Sequence, residues 1–109
     1  MNNLPDNVLE QIKQLHLADR LASIKYTFEL GKLILTAIVH TGLTEYKVIK
    51  LIRDSLGEMA HGTTYYNRAA RIARTFTDIQ QKTLVEKAVS LNTAESLAGK
   101  HYEKTRVKI

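Results

Sequence analysis

The sequence predicts an all-α fold, in which one domain over residues 1–109 forms a compact bundle of five to six short helices. Only one proline and five glycines interrupt the chain, and 44% of its residues are apolar, which favours helices and allows a core in a domain of this length. Apolar residues recur at steps of three and four, the period of a helix, and we predict no strand. Residues that cap helices precede several of these stretches.

Two helices are predicted in the first 40 residues. The first should start near Pro5, because proline is favoured in a first turn. The second should run from about residue 19 to residue 39 and stop at Gly42, where glycine can adopt the left-handed conformation that ends helices. Gly31 lies within its apolar stripe, which indicates the close approach of a neighbouring helix.

A third helix can be capped by Thr44, run to Leu56 and stop at Gly57. The side chains that we expect to face inward are Tyr46, Ile49, Ile52 and Leu56. The polar face consists of Lys47, Lys50, Arg53 and Asp54. The outer surface of this helix is therefore mostly basic.

A fourth helix is predicted to begin after Gly62, with Thr63 or Thr64 as its cap, and to continue to about Phe76. Together with the third helix it forms a helix-turn-helix-like pair around residues 44–76, in which the second helix would enter the major groove of DNA. The connection is longer than the three or four residues usual in that motif, so the sequence does not fix the angle between the two helices.

Two capping signals mark the last third of the chain. TDIQ at 77–80 has the spacing of a capping box and opens a fifth helix, and NTAE at 92–95 repeats that pattern with Asn92 as the cap of a sixth. The apolar positions expected on these helices are Ile79, Leu84, Val85, Ala88, Ala94, Leu97, Ala98 and Tyr102. The tail at 101–109 has more basic than acidic groups and little periodicity, so we expect it to fray or to contact a partner.

The fourth helix has two faces when it is projected at about 100° per residue. The face predicted to be buried carries Tyr66, Ala69, Ile72, Ala73 and Phe76, with Tyr65 at its border. The opposite arc carries Asn67, Arg68, Arg71 and Arg74. Arginine can pair with phosphate or guanine, asparagine with adenine, and threonine at a helix start with phosphate. The predicted nucleic-acid surface consists of Thr63, Thr64, Tyr65, Asn67, Arg68, Arg71, Arg74, Lys47, Lys50 and Arg53.

The alternative interpretation is that these arginines are only solvated, because arginine is a good helix former and is usually exposed. Residues 59–77 contain no acidic side chain, whereas a surface that is merely soluble commonly mixes both signs. The whole chain has 16 lysines and arginines against 11 acidic residues, a net charge of +5. This excess favours a polyanionic partner.

Catalysis, cofactors and metals find no support in the sequence. The chain has no cysteine, its glycines are isolated, and its four histidines are scattered without the HExxH spacing, so we predict no enzyme activity, no cofactor and no metal site. Each histidine is expected to have a surface or capping role. The N-terminus lacks a secretory signal and the longest apolar run cannot span a bilayer, so we predict a soluble cytoplasmic protein without membrane contact.

Two segments, KYTFELGKLI at 25–34 and YKVIKLIRDSLGEMAHGTTYYNRAARIARTF at 46–76, resemble the helical N-terminal domain of YhcG-like nucleases of bacteria and mobile elements. The matching positions are Leu30, Gly31, Lys32, Val48, Ile49, Gly62, Thr63, Asn67 and Phe76. Thr27 and residues 41–45 stand where that family usually has tryptophans, and the chain is too short for the nuclease domain that normally follows. The resemblance covers roughly half of the chain and implies a DNA-associated helical module without cutting activity.

Two functions follow as hypotheses. The first is a small DNA-binding or DNA-associated regulatory protein, from a phage, plasmid or other mobile element, that holds duplex DNA with its basic helix. The second is a helical protein-interaction module, such as a phage-encoded inhibitor of a nucleic-acid enzyme or a defence complex. A homodimer would suit a palindromic site. Its candidate interface residues are Leu4, Val8, Val107 and Ile109, each of which could equally belong to the core or to a frayed end.

Overall fold

The structure is a computed structural model that describes residues 4–18 and 23–107, with side chains over 4–17 and 23–99. These residues form α1 (Asp6–Ala18), α2 (Ile24–Thr41), α3 (Glu45–Leu56), α4 (Thr63–Thr75), α5 (Asp78–Glu86) and α6 (Leu91–Val107), with a 3-10 turn at Gly57–Met59. The described part of the chain contains no strand, so the all-α prediction is confirmed. None of its helices is both long and apolar enough to cross a membrane.

Local capping chemistry sets most of the helix ends. The Thr44 hydroxyl accepts a hydrogen bond from the Lys47 N–H at 3.3 Å at the start of α3. Thr77 and Gln80 form the predicted capping box of α5. Gly42 ends α2 with a φ of 70°, in the left-handed region that glycine adopts without strain. All three predictions are confirmed.

The starts of two other helices differ from the prediction. Gly62, rather than Thr63 or Thr64, is the N-cap of α4, and the Thr63 hydroxyl instead accepts a hydrogen bond from Arg53. At α6 the Ser90 hydroxyl accepts the Thr93 N–H at 3.1 Å, while Asn92 bonds to a neighbouring helix. Thr63 and Asn92 are thus the first and second residues of their helices, and their side chains serve contacts with other helices rather than caps.

The start of α2 lies later than predicted. Ser23 caps the helix by accepting the Tyr26 N–H at 3.2 Å, so the regular helix begins at Ile24. The predicted start near residue 19 lies outside the described residues.

The C-terminal tail at 101–109 was expected to fray or to contact a partner. The backbone of α6 is helical as far as Val107. The side chains from residue 100 onward, Tyr102 among them, lie outside the described residues, so the expectation for the tail stays a prediction.

Four of the apolar positions singled out in the sequence are exposed. Tyr46 is 70% exposed, Ile79 is 79% exposed and Leu97 is 39% exposed, while Ala88 lies beyond the end of α5 with a φ of 51°. Tyr46 and Ile79 are both in the first turn of their helix. The prediction that Tyr46 faces inward is wrong, because a three-four spacing cannot tell whether a neighbouring helix reaches the first turn of a helix. Ala88 lies outside the helix on which it was predicted, whereas Ile79 and Leu97 lie on α5 and α6 as predicted.

The centre of the bundle is the contact between α2 and α4, the most extensive helix contact among the described residues. A Cβ atom placed on Gly31 would lie 2.1 Å from the Ala69 carbonyl oxygen and 2.7 Å from the Ala73 Cβ. The two backbones therefore touch at this crossing, and the close approach predicted at Gly31 is confirmed.

Two apolar clusters extend from this crossing. One joins α1, α2, α3 and α4, and the other joins the start of α2 and the end of α4 to α5 and α6. Leu4 and Val8, proposed as dimer residues, belong to the first cluster and are 8% and 2% exposed. Their burial assigns both residues to the core, which is one of the two alternatives that the sequence left open for them. The other two dimer candidates, the Val107 side chain and Ile109, lie outside the described residues.

Candidate nucleic-acid interface

Helix α4 has one narrow exposed face. Its exposed residues follow steps of three and four and form what we call the α4 stripe: Thr64, Asn67, Arg71 and Arg74. Tyr66, Ala69, Ala70, Ile72 and Ala73 are buried, and Phe76, just after the helix, is 9% exposed. The predicted buried face of α4 is confirmed, and the α4 stripe is the part of this helix that a partner can reach most freely.

Arg68 lies outside the α4 stripe. Its Nη2 donates to the Asn92 Oδ1 at 2.7 Å, and the guanidinium also forms an ion pair with Glu95. The Arg68 and Glu95 side chains are only 33% and 21% exposed, so these charge-assisted bonds are partly shielded from water. Arg68 therefore ties α4 to α6, so the predicted outer arc of this helix contains an arginine that is already paired within the protein.

Arg74 is also paired, but at the surface. Its Nη2 donates to the Glu45 Oε1 at 2.7 Å, with the Arg74 side chain 56% exposed. A surface pair of this kind contributes about 0 to 1 kcal/mol to stability. Arg74 therefore links the end of α4 to the start of α3 while most of its side chain stays in water.

Arg71 and Asn67 differ from these two arginines. Both side chains are exposed, and neither has a hydrogen bond or ion pair among the residues that the structure describes. The five N–H donors of Arg71 are consequently free to meet phosphate or base oxygens. Of the three arginines predicted to bind, Arg71 fits that role best.

A second link joins α3 to α4 at the opposite end. The Arg53 Nη1 donates to the Thr63 hydroxyl at 2.9 Å. Since Glu45 holds Arg74 at the start of α3, side-chain bonds connect the two helices at both of their ends. The basic face of α3 thus borders the α4 stripe.

A cleft of about 340 Å³ opens where the end of α3 meets the start of α4. It is lined by Tyr46, Ile49, Lys50, Arg53, Asp54, Gly57, Ala60 and Thr63. Lys50 also borders a shallower groove along α3 that Lys47 lines. The structure therefore brings Lys47, Lys50, Arg53 and Thr63, all predicted binding residues, to adjoining depressions.

The first turn of α4 favours a negative group. Gly62 offers no side chain to cap the helix, and no acidic residue lies in the first turn. Within the described part of the chain, no acceptor pairs with the backbone N–H of Thr63 or Thr64. Free N–H groups and the helix dipole together attract anions such as phosphate.

Tyr65 faces the interior rather than a partner. Its hydroxyl lies 2.6 Å from the Thr27 Oγ1, and its ring centroid lies 4.6 Å from that of His61. The position at the border of the buried face is confirmed. Because the hydroxyl and the ring already have partners within the protein, Tyr65 is a poor candidate for stacking on a base.

Sequence reasoning missed a histidine pair. The ring centroids of His16 and His61 are 4.7 Å apart, and His16 is 8% exposed. The expectation of scattered histidines in surface or capping roles is wrong for both. His16 does follow Val8 and Ile12 at steps of four along the buried side of α1, a spacing that could have indicated its burial.

Burial changes the protonation of this pair. Burial lowers the pKa of His16 to about 4, with a further contribution from nearby His61, while a hydrogen bond with the backbone of Ile12 opposes the shift. Burial also lowers the pKa of His61. Both imidazoles are therefore neutral at pH 7. The described residues contain no group of three or more metal-ligating side chains.

No family model matches the chain, and comparisons with curated proteins and with solved structures yield no match. The resemblance to YhcG-like nucleases stays a prediction from the sequence. The functional proposal therefore depends on the charges and geometry of the described residues.

Proposed function

We propose that the protein is a non-enzymatic DNA-binding regulatory protein of the cytoplasm, which holds duplex DNA with the outer face of α3 and the α4 stripe. The proposal depends mainly on three cations, Lys50, Arg53 and Arg71. Among the described residues, no carboxylate lies within ion-pair distance of any of them. They lie on α3 and α4, which are joined by the hydrogen bond from Arg53 to Thr63. Uncompensated cations grouped in this way are the usual footprint of phosphate binding.

The roles of the residues follow from their positions. Lys47, Lys50 and Arg53 are exposed along α3 and would contact the phosphate backbone. The free N–H groups at the start of α4 would hold another phosphate. Asn67 and Arg71 lie farther along the same helix and would face the groove, where their side chains can bond to base edges.

Arg68 and Arg74 contribute less in this proposal. Each already has a carboxylate partner, Glu95 and Glu45 respectively. Binding phosphate with either arginine would require breaking or sharing that ion pair. We therefore expect Arg71 and the α3 cations to dominate the dependence of binding on salt.

Fluorescence anisotropy tests the proposal with duplex DNA, single-stranded DNA and duplex RNA over a series of salt concentrations. A log–log plot of the binding constant against salt should lose a slope of about 0.9 for each phosphate contact removed from duplex DNA. Lys50→Ala with Arg71→Ala should lower the slope by about 1.8 on this basis. Lys82→Ala with Lys87→Ala removes two exposed charges from α5 and its end, and should leave the slope unchanged.

A second candidate function is binding to an acidic protein surface. It is favoured by Tyr46, whose ring is 70% exposed at the edge of the basic cleft, because aromatic side chains flanked by cations are common at protein interfaces. Size-exclusion chromatography with duplex DNA separates the two functions. Failure to comigrate with any of the three nucleic acids at low salt would favour the protein partner.

A further inference from the structure

Tyr46 lies on the surface, whereas three other tyrosines bond within the protein. The hydroxyls of Tyr26, Tyr65 and Tyr66 form hydrogen bonds with α2 or with the connector, which we define as residues 57–62 between α3 and α4. Tyr46 is 70% exposed, and among the described residues it makes no hydrogen bond and no aromatic contact. Its ring is therefore free to stack on a ligand.

The cleft between α3 and the start of α4 places Tyr46 beside two cations. Tyr46, Lys50 and Arg53 follow one another at steps of four and three, so they lie on one side of α3, and all three line the cleft. Lys50 is about 6 Å from Tyr46 along the helix axis and Arg53 is about 10 Å from it. Neither cation has a carboxylate within ion-pair distance among the described residues. An aromatic ring and uncompensated positive charge therefore share one depression.

Arg53 is held in position before a ligand arrives. Its Nη1 donates to the Thr63 hydroxyl at 2.9 Å, which ties α3 to the first turn of α4. The other N–H groups of the guanidinium remain for an anion. A side chain that is already ordered loses less conformational entropy on binding, so Arg53 is well prepared to hold a phosphate.

The size and charge of the cleft suit one small ligand. Its volume of about 340 Å³ is at the lower end for small-ligand pockets, and a helix about 10 Å across would not fit. Asp54 also lines the cleft, exposed and without an ion pair among the described residues. Its carboxylate would repel a row of phosphates, but it can accept a hydrogen bond from the amino group of a base.

This set of groups matches a single unpaired nucleotide. In an intact duplex the faces of each base are covered by the neighbouring bases, and only the edges can be reached from the grooves. A protein ring can stack on a base only when that base has left the stack or belongs to a single strand. Tyr46 can therefore contact a base face only where the DNA is not fully paired.

We propose that the cleft binds one unpaired nucleotide beside the duplex, with its base stacked on Tyr46 and its phosphate held by Lys50 and Arg53. The role of the cleft rests on the proposed function and makes it more specific. The α4 stripe and the outer face of α3 hold the duplex, while the cleft selects DNA ends or junctions that carry a single-stranded segment. Tyr46 then meets a base rather than a partner protein.

Fluorescence anisotropy of the intact protein tests this nucleotide site. One duplex is used blunt, with a short cytidine overhang at its 5′ or 3′ end, and with matching overhangs whose sugars carry no base. The base and abasic overhangs have the same phosphates, so they differ in stacking and not in charge. The cytidine overhang of at least one polarity should bind about 5- to 100-fold more tightly than its abasic counterpart. Equal affinity for base and abasic overhangs of both polarities would overturn the proposal.

Substitutions at Tyr46 test whether its ring provides this gain. Tyr46→Ala should remove the difference between base and abasic overhangs, whereas Tyr46→Phe keeps the ring and should retain it. Ile79→Ala is the matched control, because Ile79 is 79% exposed in the first turn of α5 and does not line the cleft. It should behave as the parent does. A difference that persists in Tyr46→Ala would also overturn the proposal, since the base would then bind elsewhere.

The blunt duplex distinguishes failure of the nucleotide site from failure of the proposed function. If the blunt duplex binds with the expected salt slope and the overhang base adds nothing, the proposed function stands and the nucleotide site is wrong. If cytidine overhangs bind more tightly than abasic ones while the blunt duplex does not bind at low salt, the cleft is supported and the duplex-binding role of the α4 stripe is wrong. If none of the DNA ligands binds at low salt, both are wrong and the acidic protein partner is favoured.

Discussion

Arg53 donates a hydrogen bond of 2.9 Å to the Thr63 hydroxyl, which brings the basic face of α3 to the first turn of α4. The bond uses a single N–H of the guanidinium and leaves its other donors at the mouth of a cleft that Lys50 also lines. One side chain therefore both orders the helix pair and presents charge to a partner.

Charge and geometry at Arg53 can be separated by two substitutions. Arg53→Lys keeps the charge and should leave the salt slope of DNA binding close to that of the parent. Arg53→Ala removes the charge and should lower the slope by about 0.9. Equal salt slopes for the two variants would mean that Arg53 does not contact phosphate.

Alanine substitutions at Arg68 and Arg71 should have different effects, since the first should lower the stability of the protein and the second should weaken DNA binding. Arg68→Ala breaks the partly shielded contact with Glu95 and Asn92, so the free energy of unfolding should fall by about 1 kcal/mol. Arg71→Ala removes an exposed side chain and should change it by less than about 0.5 kcal/mol, while weakening DNA binding. Urea unfolding and anisotropy on both variants measure the contrast. The reverse pattern would assign the binding role to Arg68.

The helix crossing gives a prediction about stability alone. Gly31→Ala places a methyl group against the Ala69 carbonyl oxygen, so the free energy of unfolding should fall by about 3 kcal/mol through overpacking. Gly99→Ala adds the same methyl group in α6, where the described residues place no heavy atom within 4 Å apart from the chain neighbours and the backbone of the same helix. That control should gain up to about 1 kcal/mol from helix propensity. A neutral Gly31→Ala would mean that the crossing can widen at little cost.

Stability should also fall in mild acid. The ordinary pKa of histidine, about 6.5, applies to the unfolded chain, whereas the folded-state pKa of His16 is about 4. The unfolded chain therefore binds more protons between these values, and stability is lost as the pH falls from about 6.5 towards 4. At pH 5 the loss from His16 is about 2 kcal/mol relative to pH 7.5. Urea unfolding at both pH values measures it, and a His16→Gln variant that folds should show a smaller loss.

The sequence predicted those features of the fold that depend on residues close together along the chain. The caps at Thr44 and Thr77 each act within three residues of the chain, and the close approach at Gly31 followed from the apolar period of one helix. Features that join distant segments were missed. Arg68 meets Glu95 across 27 positions, and Arg74 meets Glu45 across 29. Helical projection identifies the direction of a side chain but not the helix that lies in that direction.

The candidate site was predicted in part for the same reason. The exposed α4 stripe followed from the helical period, and the basic face of α3 followed from its composition. The joining of these surfaces at Arg53 and Thr63 depends on the path of the connector, which no local pattern specifies. The contact between His16 and His61 depends on it as well, because these residues meet only after α1, α2 and α4 have packed together.

The salt dependence of duplex DNA binding tests nucleic-acid recognition by α3 and α4 most directly. The parent protein is compared with Lys50→Ala plus Arg71→Ala, and with the matched control Lys82→Ala plus Lys87→Ala. A slope that falls by about 1.8 in the first double variant, and stays at the parent value in the control, is the predicted result. The same slope in all three proteins, or no binding by the parent at low salt, would contradict it.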